Sequence, residues 1–577
     1  MKKRTVQGAS EIFILPPSAF RLACRVAAFL VSFLCAFVAP AVAQGEKKQG
    51  GTSTPPAIRV APEAPVFDEE ERRAELVARR ARVAQEVGTT GVLVLFSAEP
   101  RVYSGDTDYP YRQENNFYYL THLRQPGATL VLLPGNHAHG EILFLPRRSA
   151  TAEAWSGAMY SAGEARRLSG IKEIWDSREF APFMEALAKR QPYRPKPEAV
   201  LLSENSARES QASGSTSATA STANPQSSET PASGFEALFA ASARKEAALY
   251  LLVPVREADT GKFGDSREWR REQRFAESWT KSASGFPVRS AFHLFAVMRL
   301  RKSPSELRRL QHAIDITIEA MGRAMAVAGR LSREYEVEAE VLYAFKRRGA
   351  DSPGFPSIIG AGQNATTIHH ADLHGILKPA DLLLIDIGAE FDHYTADITR
   401  TFPLSGRFTP AQADVYRVVL DAQDAAFRAV RPGATLTDIH NAAVEALKDG
   451  LLRLGLITNR NSGQYFIWFP HGTSHWLGMD AHDIGYGNAR LEPGMVLTVE
   501  PGLYIRADAL ERLPRTPENE KLIAAVRPAF EKYKNIGVRI EDDALVTPDG
   551  YRNLSAALPR TIPEIESFIE RASREMR

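Results

Sequence analysis

The stretch Leu382-Leu383-Leu384-Ile385-Asp386-Ile387-Gly388 closes an apolar run on a carboxylate, the pattern of a buried strand that delivers a charge to a site. A buried, unpaired carboxylate is costly, so Asp386 requires a cation or dense hydrogen bonding beside it. Gly388 and the short polar stretch before Asp397-Ile398-Thr399-Arg400 predict a turn and a returning strand, which would set Asp397 next to Asp386. Two inward carboxylates side by side repel each other unless a metal ion lies between them.

Further candidate ligands lie downstream. His471-Gly472-Thr473-Ser474-His475-Trp476-Leu477-Gly478-Met479-Asp480-Ala481-His482-Asp483 places three histidines in a short span. Met495-Val496-Leu497-Thr498-Val499-Glu500-Pro501-Gly502 is a second β-rich run ending on a carboxylate, and Val538-Arg539-Ile540-Glu541-Asp542-Asp543 alternates so that Glu541 can face inward. Each fragment alone has an ordinary explanation: a turn at Asp386 or at Glu500, a satisfied polar histidine, a solvated edge charge at Glu541. Arg539 shares a face with Glu541 and reads equally as a plain ion pair or as a group orienting that carboxylate or a substrate.

Taken together, the order Asp, Asp, His, Glu, Glu resembles the dinuclear metallopeptidases of the pita-bread fold, which include methionine aminopeptidase, prolidase and Xaa-Pro aminopeptidase, with creatinase as a metal-free relative. The resemblance spans most of residues 293–560. It implies Asp386, Asp397, His475, Glu500 and Glu541 as metal ligands, and His369, His471 and His482 as catalytic groups lining the substrate pocket. Glu500 would be the acid–base group and Arg539 a substrate-binding side chain. Between His369 and His370, His369 aligns with the family histidine that faces the scissile amide. Four carboxylates and one imidazole form an oxygen-rich ligand set that suits Mn²⁺, Co²⁺, Zn²⁺ or Fe²⁺ better than a closed thiolate cage would, and the resemblance favours manganese. Two such ions in the ~3.5–4 Å range generate a bridging hydroxide at neutral pH that attacks the scissile carbonyl.

Trp476 after His475, the run Asp397-Ile398-Thr399-Arg400-Thr401-Phe402-Pro403, and Tyr109-Pro110-Tyr111-Arg112-Gln113-Glu114-Asn115-Asn116-Phe117-Tyr118-Tyr119-Leu120-Thr121 look most like the Xaa-Pro aminopeptidase branch. The implied substrate is a peptide with an N-terminal Xaa-Pro, and the implied assembly a homo-oligomer, dimer or tetramer. Prolidase is the alternative within the fold, and a non-catalytic peptide-binding relative the alternative outside enzymes. Scaffolds that lose catalysis usually lose ligands, and all five are present here.

The elements that must position these groups follow. With 577 residues the chain is too long for one ordinary core, and two structured domains are expected. The expected class is α/β (α+β), an amino-terminal aminopeptidase-P-like α/β domain over 69–292 followed by a pita-bread domain over 293–565. Strands are predicted at 91–96, 128–133 and 141–145, and helices at 69–87, 162–168 and 179–189. Ser303, Pro304 and Glu306 read as a capping box opening the catalytic domain's first long helix. Residues 507–535 form a charged excursion in which a surface helix is expected.

Lys and Arg number 71 against 69 Asp and Glu, and a net charge of +2 on this length gives no electrostatic case for nucleic acid or an acidic membrane. Residues 1–43 read as a signal peptide: a long basic leader, an apolar core over 26–38, and Ala41-Val42-Ala43 as the cleavage site. Export to periplasm or medium is expected; an uncleaved membrane anchor is the alternative, weakened by Pro40. Both cysteines, Cys24 and Cys35, lie in this leader, so the mature chain has neither disulfides nor a thiol nucleophile. Residues 44–68 read as a flexible linker. The Ser/Ala-rich stretch 203–234 lacks the large apolar side chains needed to order itself.

Overall fold

Asp68 starts the first helix, α1 (Glu69–Val87), its carboxylate accepting from the Glu70 and Glu71 amides ahead of an acidic first turn. The computed structural model describes residues 56–136, 139–203, 234–282 and 284–577. The leader, residues 44–55 of the linker and nearly all of the Ser/Ala-rich stretch lie outside the described residues. Among the described residues no helix is long and apolar enough to cross a membrane.

After α1 come β1 (Gly91–Phe96) and the short helix α2 (Asn115–Thr121). Then follow β2 (Thr129–Leu132), β3 (Glu141–Leu145), β4 (Ile174–Asp176), β5 (Val200–Leu202), β6 (Ala248–Leu251) and β7 (Val288–Ser290). These seven strands form one mixed sheet in the order β5-β4-β3-β2-β1-β6-β7. Neighbours pair antiparallel in β1–β2, β2–β3 and β4–β5, and parallel in β3–β4, β1–β6 and β6–β7. Side chains alternate across it as the pleat requires. Leu93, Leu95, Leu130, Leu132, Leu143 and Leu145 face one core; Val92, Val94, Phe96, Val131, Ile142 and Phe144 face the other.

The first of those cores runs on without interruption into the second domain. That domain opens with α3 (Pro304–Val327), where Ser303 and Glu306 form the expected capping box, and α4 (Glu334–Arg347). Strands β8 (Ile358–Ala361), β9 (Leu382–Ile387) and β10 (Ile398–Pro403) then form an antiparallel sheet with β9 central. A helix pair, α5 (Pro410–Ala429) and α6 (Leu436–Leu454), follows. Two further strands are β11 (Val496–Val499) and β12 (Gly502–Tyr504), and helix α7 (Pro517–Tyr533) fills the charged excursion. The chain closes through β13 (Gly537–Arg539), β14 (Asp542–Thr547), β15 (Gly550–Asn553) and α8 (Ile562–Glu575). In this half β11 and β15 flank β14, and β12 pairs with β13. Helix α7 is only half a surface helix: Leu522, Ile523, Val526 and Phe530 are buried, and Lys532 reaches Asp414 of α5 at 3.0 Å.

Two expectations about strands change. Glu500 stands just beyond β11, and Glu541 sits in the break between β13 and β14 rather than inside one alternating strand. Each break frees the backbone to bond sideways. The Glu541 amide donates to Thr399 O at 3.1 Å and the Glu500 amide to Thr473 O at 2.8 Å. The glutamates are thereby stitched to the segments that carry Asp397 and His475.

Candidate metal centre

Asp386 is next to last in β9 and lies opposite Thr399 of β10, while Asp397 immediately precedes β10. The ten residues between the strands loop out, and the chain crosses itself tightly at Gly388, where a Cβ would lie 1.7 Å from Ala396 O. No larger residue fits that crossing, which is what brings the two aspartates together. His475 is held by a second crossing. Its amide donates to Thr498 Oγ1 (3.2 Å), and the Thr498 amide donates to His475 O (3.0 Å).

The five acidic and imidazole side chains converge. His475 Nδ1 donates to Trp476 O at 3.1 Å, which fixes the tautomer and leaves Nε2 as an unprotonated acceptor. That nitrogen lies 3.5 Å from Asp397 Oδ2, 3.5 Å from Glu500 Oε1 and 4.0 Å from Glu541 Oε1. Burial, and then the neighbouring His482, hold the His475 imidazole down at about 4, so no proton of its own bridges these acceptors. One atom each from Asp397, His475 and Glu541 falls within 4.8 Å of the others. Asp386 Oδ2 accepts from Arg539 Nη2 at 2.5 Å, whereas its Oδ1 is buried without a hydrogen-bond partner among the described residues.

The electrostatics are those of a site short of positive charge. Burial first, and then Glu541 and Asp386, push the Asp397 carboxyl well above the usual range; burial and then Asp386 and Glu500 do the same to Glu541. Glu500 is pushed up to about 8 by burial, with Asp386 adding to the shift and Arg539 opposing it. Buried Asp543, whose Oδ2 accepts the Asp397 amide at 3.2 Å, is raised as well, first by burial. Among the described residues, Arg539 is the guanidinium that hydrogen-bonds a side-chain oxygen of these five groups, and Arg400 acts from behind on Asp543. The orphan Asp386 oxygen, the proton-free Nε2 and the mutually repelling carboxylates fit divalent cations, and Asp386, Asp397, His475, Glu500 and Glu541 would hold them.

Arg539 forms an ion pair, as one of its two readings had it. It binds Asp386 directly and reaches Glu541 only through Thr399, whose Oγ1 accepts from Arg539 Nε (3.2 Å) and donates to Glu541 Oε2 (2.7 Å). On its other side Arg539 Nη1 donates to Tyr504 Oη at 2.9 Å, and that hydroxyl in turn meets His471 Nε2 at 2.8 Å. His471 Nδ1 donates to Gly472 O, and burial followed by Arg539 pushes the imidazole down to about 3. It is therefore neutral, with Nε2 accepting the tyrosine proton. His482 is exposed, its ring 4.4 Å from that of His475 and steeply tilted. His369 is also exposed and close enough to His471 to bias its protonation. His370 is tied away, its Nε2 lying 3.0 Å from Glu334 at the start of α4.

Thr399, Tyr504, Asp542 and Asp543 escaped the sequence reading as site residues. Thr399 had a signal, standing two residues from Asp397 on a strand and so on the same face. Tyr504, two residues after Gly502, had none.

Comparison with known proteins agrees with this architecture. Residues 308–548 match the model of metallopeptidase family M24, and residues 76–194 match the aminopeptidase P N-terminal domain. The chain is 32% identical to the Xaa-Pro aminopeptidase of Escherichia coli over 515 residues, covering 87% of this chain and 99% of that one. It is 30% identical to Xaa-Pro aminopeptidase 3 of Homo sapiens, covering 87% and 85% respectively. Aminopeptidase P from E. coli in its low-pH form superposes with a TM-score of 0.67 at 28% identity, covering 88% and 99%. Pseudomonas aeruginosa aminopeptidase PepP gives 0.66 at the same identity and coverage. An aminopeptidase P N-terminal domain thus precedes a pita-bread catalytic domain, and the chain belongs to metallopeptidase family M24, in its Xaa-Pro aminopeptidase branch.

Proposed function

We propose that this metallo-aminopeptidase releases the first residue from peptides that carry proline second. The observation that carries the reading is the convergence of Asp397, Glu500 and Glu541 on a proton-free His475 Nε2, with Asp386 presenting a bare oxygen nearby. Two divalent ions in that cluster, manganese by resemblance, would supply a water-derived nucleophile at neutral pH and polarise the scissile carbonyl.

The protein's own groups do the rest. An Xaa-Pro bond is a tertiary amide with no N–H and a rigid ring, so it is recognised by shape and by the free α-amino group, for which Asp386 is the counter-charge. Glu500 takes a proton from the attacking water and passes it to the prolyl nitrogen as the C–N bond breaks. His471, His369 and His482 line the substrate's path; His369 and His482 donate to the developing oxyanion, while neutral His471 holds the Tyr504 hydroxyl beside them. The products are one amino acid and a peptide beginning with proline.

The test is chelation followed by single-metal add-back on an X-Pro-Y tripeptide, run beside the X-Pro dipeptide. Cleavage of the tripeptide, lost on chelation and restored by Mn²⁺, is the expected result. Turnover of the dipeptide alone would identify a prolidase instead, and cleavage indifferent to chelation would remove the metal. Export and homo-oligomerisation belong to the same proposal, the first resting on the leader sequence and the second on the family resemblance.

A further inference from the structure

The loop that carries His482 is gripped from outside the catalytic fold. Residues 478–483 turn back on themselves, the Gly478 amide donating to Asp480 O (3.2 Å) and the Asp483 amide to Trp476 O (2.9 Å). Arg112 Nη2 and Asn115 Nδ2, both from the amino-terminal domain, donate to the single acceptor Met479 O, each at 3.1 Å. The other flank is fixed by charge, Asp483 lying between Arg299 and Lys302, with all three side chains at most 3% exposed. There is no slack: a Cβ on Gly478 would stand 2.2 Å from Asp483 Oδ2.

Arg112 and Asn115 are themselves fixed. Arg112 pairs with buried Glu390 at 2.7 Å, and Asn115 Oδ1 lies 3.1 Å from His393 Nδ1. Trp476 O, which accepts the Asp483 amide at the base of this loop, is also the carbonyl that sets the His475 tautomer. His482 is the exposed residue of an otherwise buried or half-buried loop, and a displacement of about 1 Å in a substrate-facing group costs a large part of the rate.

We propose that Arg112 and Asn115 are positioning residues of the peptidase site. Acting through Met479 O, they set where His482 stands, so the amino-terminal domain contributes to turnover as well as to folding. The inference rests on the Xaa-Pro aminopeptidase reading above.

The experiment is steady-state kinetics on an X-Pro-Y tripeptide for Asn115→Ala, Arg112→Lys, His482→Ala and the double variants, with thermal melts alongside. Arg112→Lys keeps a charge opposite Glu390 but lacks the planar fork that serves Glu390 and Met479 O together. Arg124→Ala is the comparison, because Arg124 also bridges the domains, to Asp351 and Asp392, without touching the loop. Asn115→Ala is expected to lower kcat/KM about ten-fold, carried by kcat, but less than about two-fold when His482 is already alanine. Arg112→Lys should fall between, and Arg124→Ala should lower Tm only. Equal losses in both His482 backgrounds, or a lowered Tm with kcat/KM intact, would overturn the inference. A wild-type protein that cleaves no Xaa-Pro peptide would fell the underlying reading, before any variant is compared.

Discussion

At the scale of single residues, burial and mutual repulsion favour the protonated forms of Asp397, Glu500 and Glu541, and a bound cation competes with those protons. Their carboxyls are raised first by burial and then by neighbouring carboxylates, Asp386 acting on all three, Glu500 to about 8. Metal binding at pH 7 should therefore release protons, and apparent Mn²⁺ affinity should tighten as pH rises from 6 toward 8. Titration calorimetry in buffers of different ionisation enthalpy reads this directly; an affinity flat over that range would contradict it. Behind the site, Asp542 and Arg400 form a fully buried ion pair at 2.8 Å. Asp542→Leu strands the guanidinium and should cost about 3–5 kcal/mol in urea unfolding, although it removes no proposed ligand. Asp386 was legible in the sequence because it closes an apolar run, and Asp397 because Gly388 and the polar stretch before it signal a turn and a returning strand. Asp542 and Asp543 were not, since consecutive acids look like solvated charge. Their partners Arg400, Gln423 and Ser555 meet them only after folding.

At the scale of elements, two histidines in left-handed conformations meet where the domains join. His122 ends α2 with φ 57°, and His393 sits in the turn between Ala389–Phe391 and Tyr394–Thr395 with φ 68°. Tyr118 stacks on His393 with ring centroids 3.9 Å apart. Burial pushes His122 down to about 4, and burial with Arg112 and Arg124 pushes His393 down to about 2. Both are depressed below the unfolded value of about 6.5, so their contribution is complete above that pH and is lost as pH falls toward 4, where the unfolded chain takes up protons the folded one refuses. Each contributes a slope of about 1.4 kcal/mol per pH unit. His393→Asn, which keeps a residue tolerant of positive φ, should flatten the dependence by one such increment when guanidinium unfolding is compared at pH 6 and pH 5. An unchanged slope would refute the assignment. Elements defined by local signals were readable, as at Ser303 and Glu306 or in the apolar run of β9. The break at Ile540-Glu541 was not, because it is imposed by bonding to Thr399 and Thr401, about 140 residues earlier.

At the scale of the whole molecule, one apolar cluster runs from Val83, Leu93 and Phe117 of the amino-terminal domain to Ile314 and Ile316 of α3 and on beneath β9. Charge ties the same boundary, with Arg79 of α1 at 3.2 Å from Glu306 and Ser303 Oγ donating to Glu75 at 2.5 Å. Domains joined only by a polar linker unfold one at a time; domains sharing a core lose their stabilising burial together. Calorimetry should therefore show the amino-terminal and catalytic halves melting in one transition, despite a length at which separate transitions are common. Metal should move that transition as a unit, since ions bound only by the folded state stabilise by about 2.7 kcal/mol at a hundred times their Kd. Two resolved transitions, with only the upper or lower one responding to Mn²⁺ and to chelator, would show that the shared core does not couple the halves. They would also weaken the case that Arg112 and Asn115 govern a loop in the neighbouring domain, because a clamp can hold position only while both of its jaws stay folded.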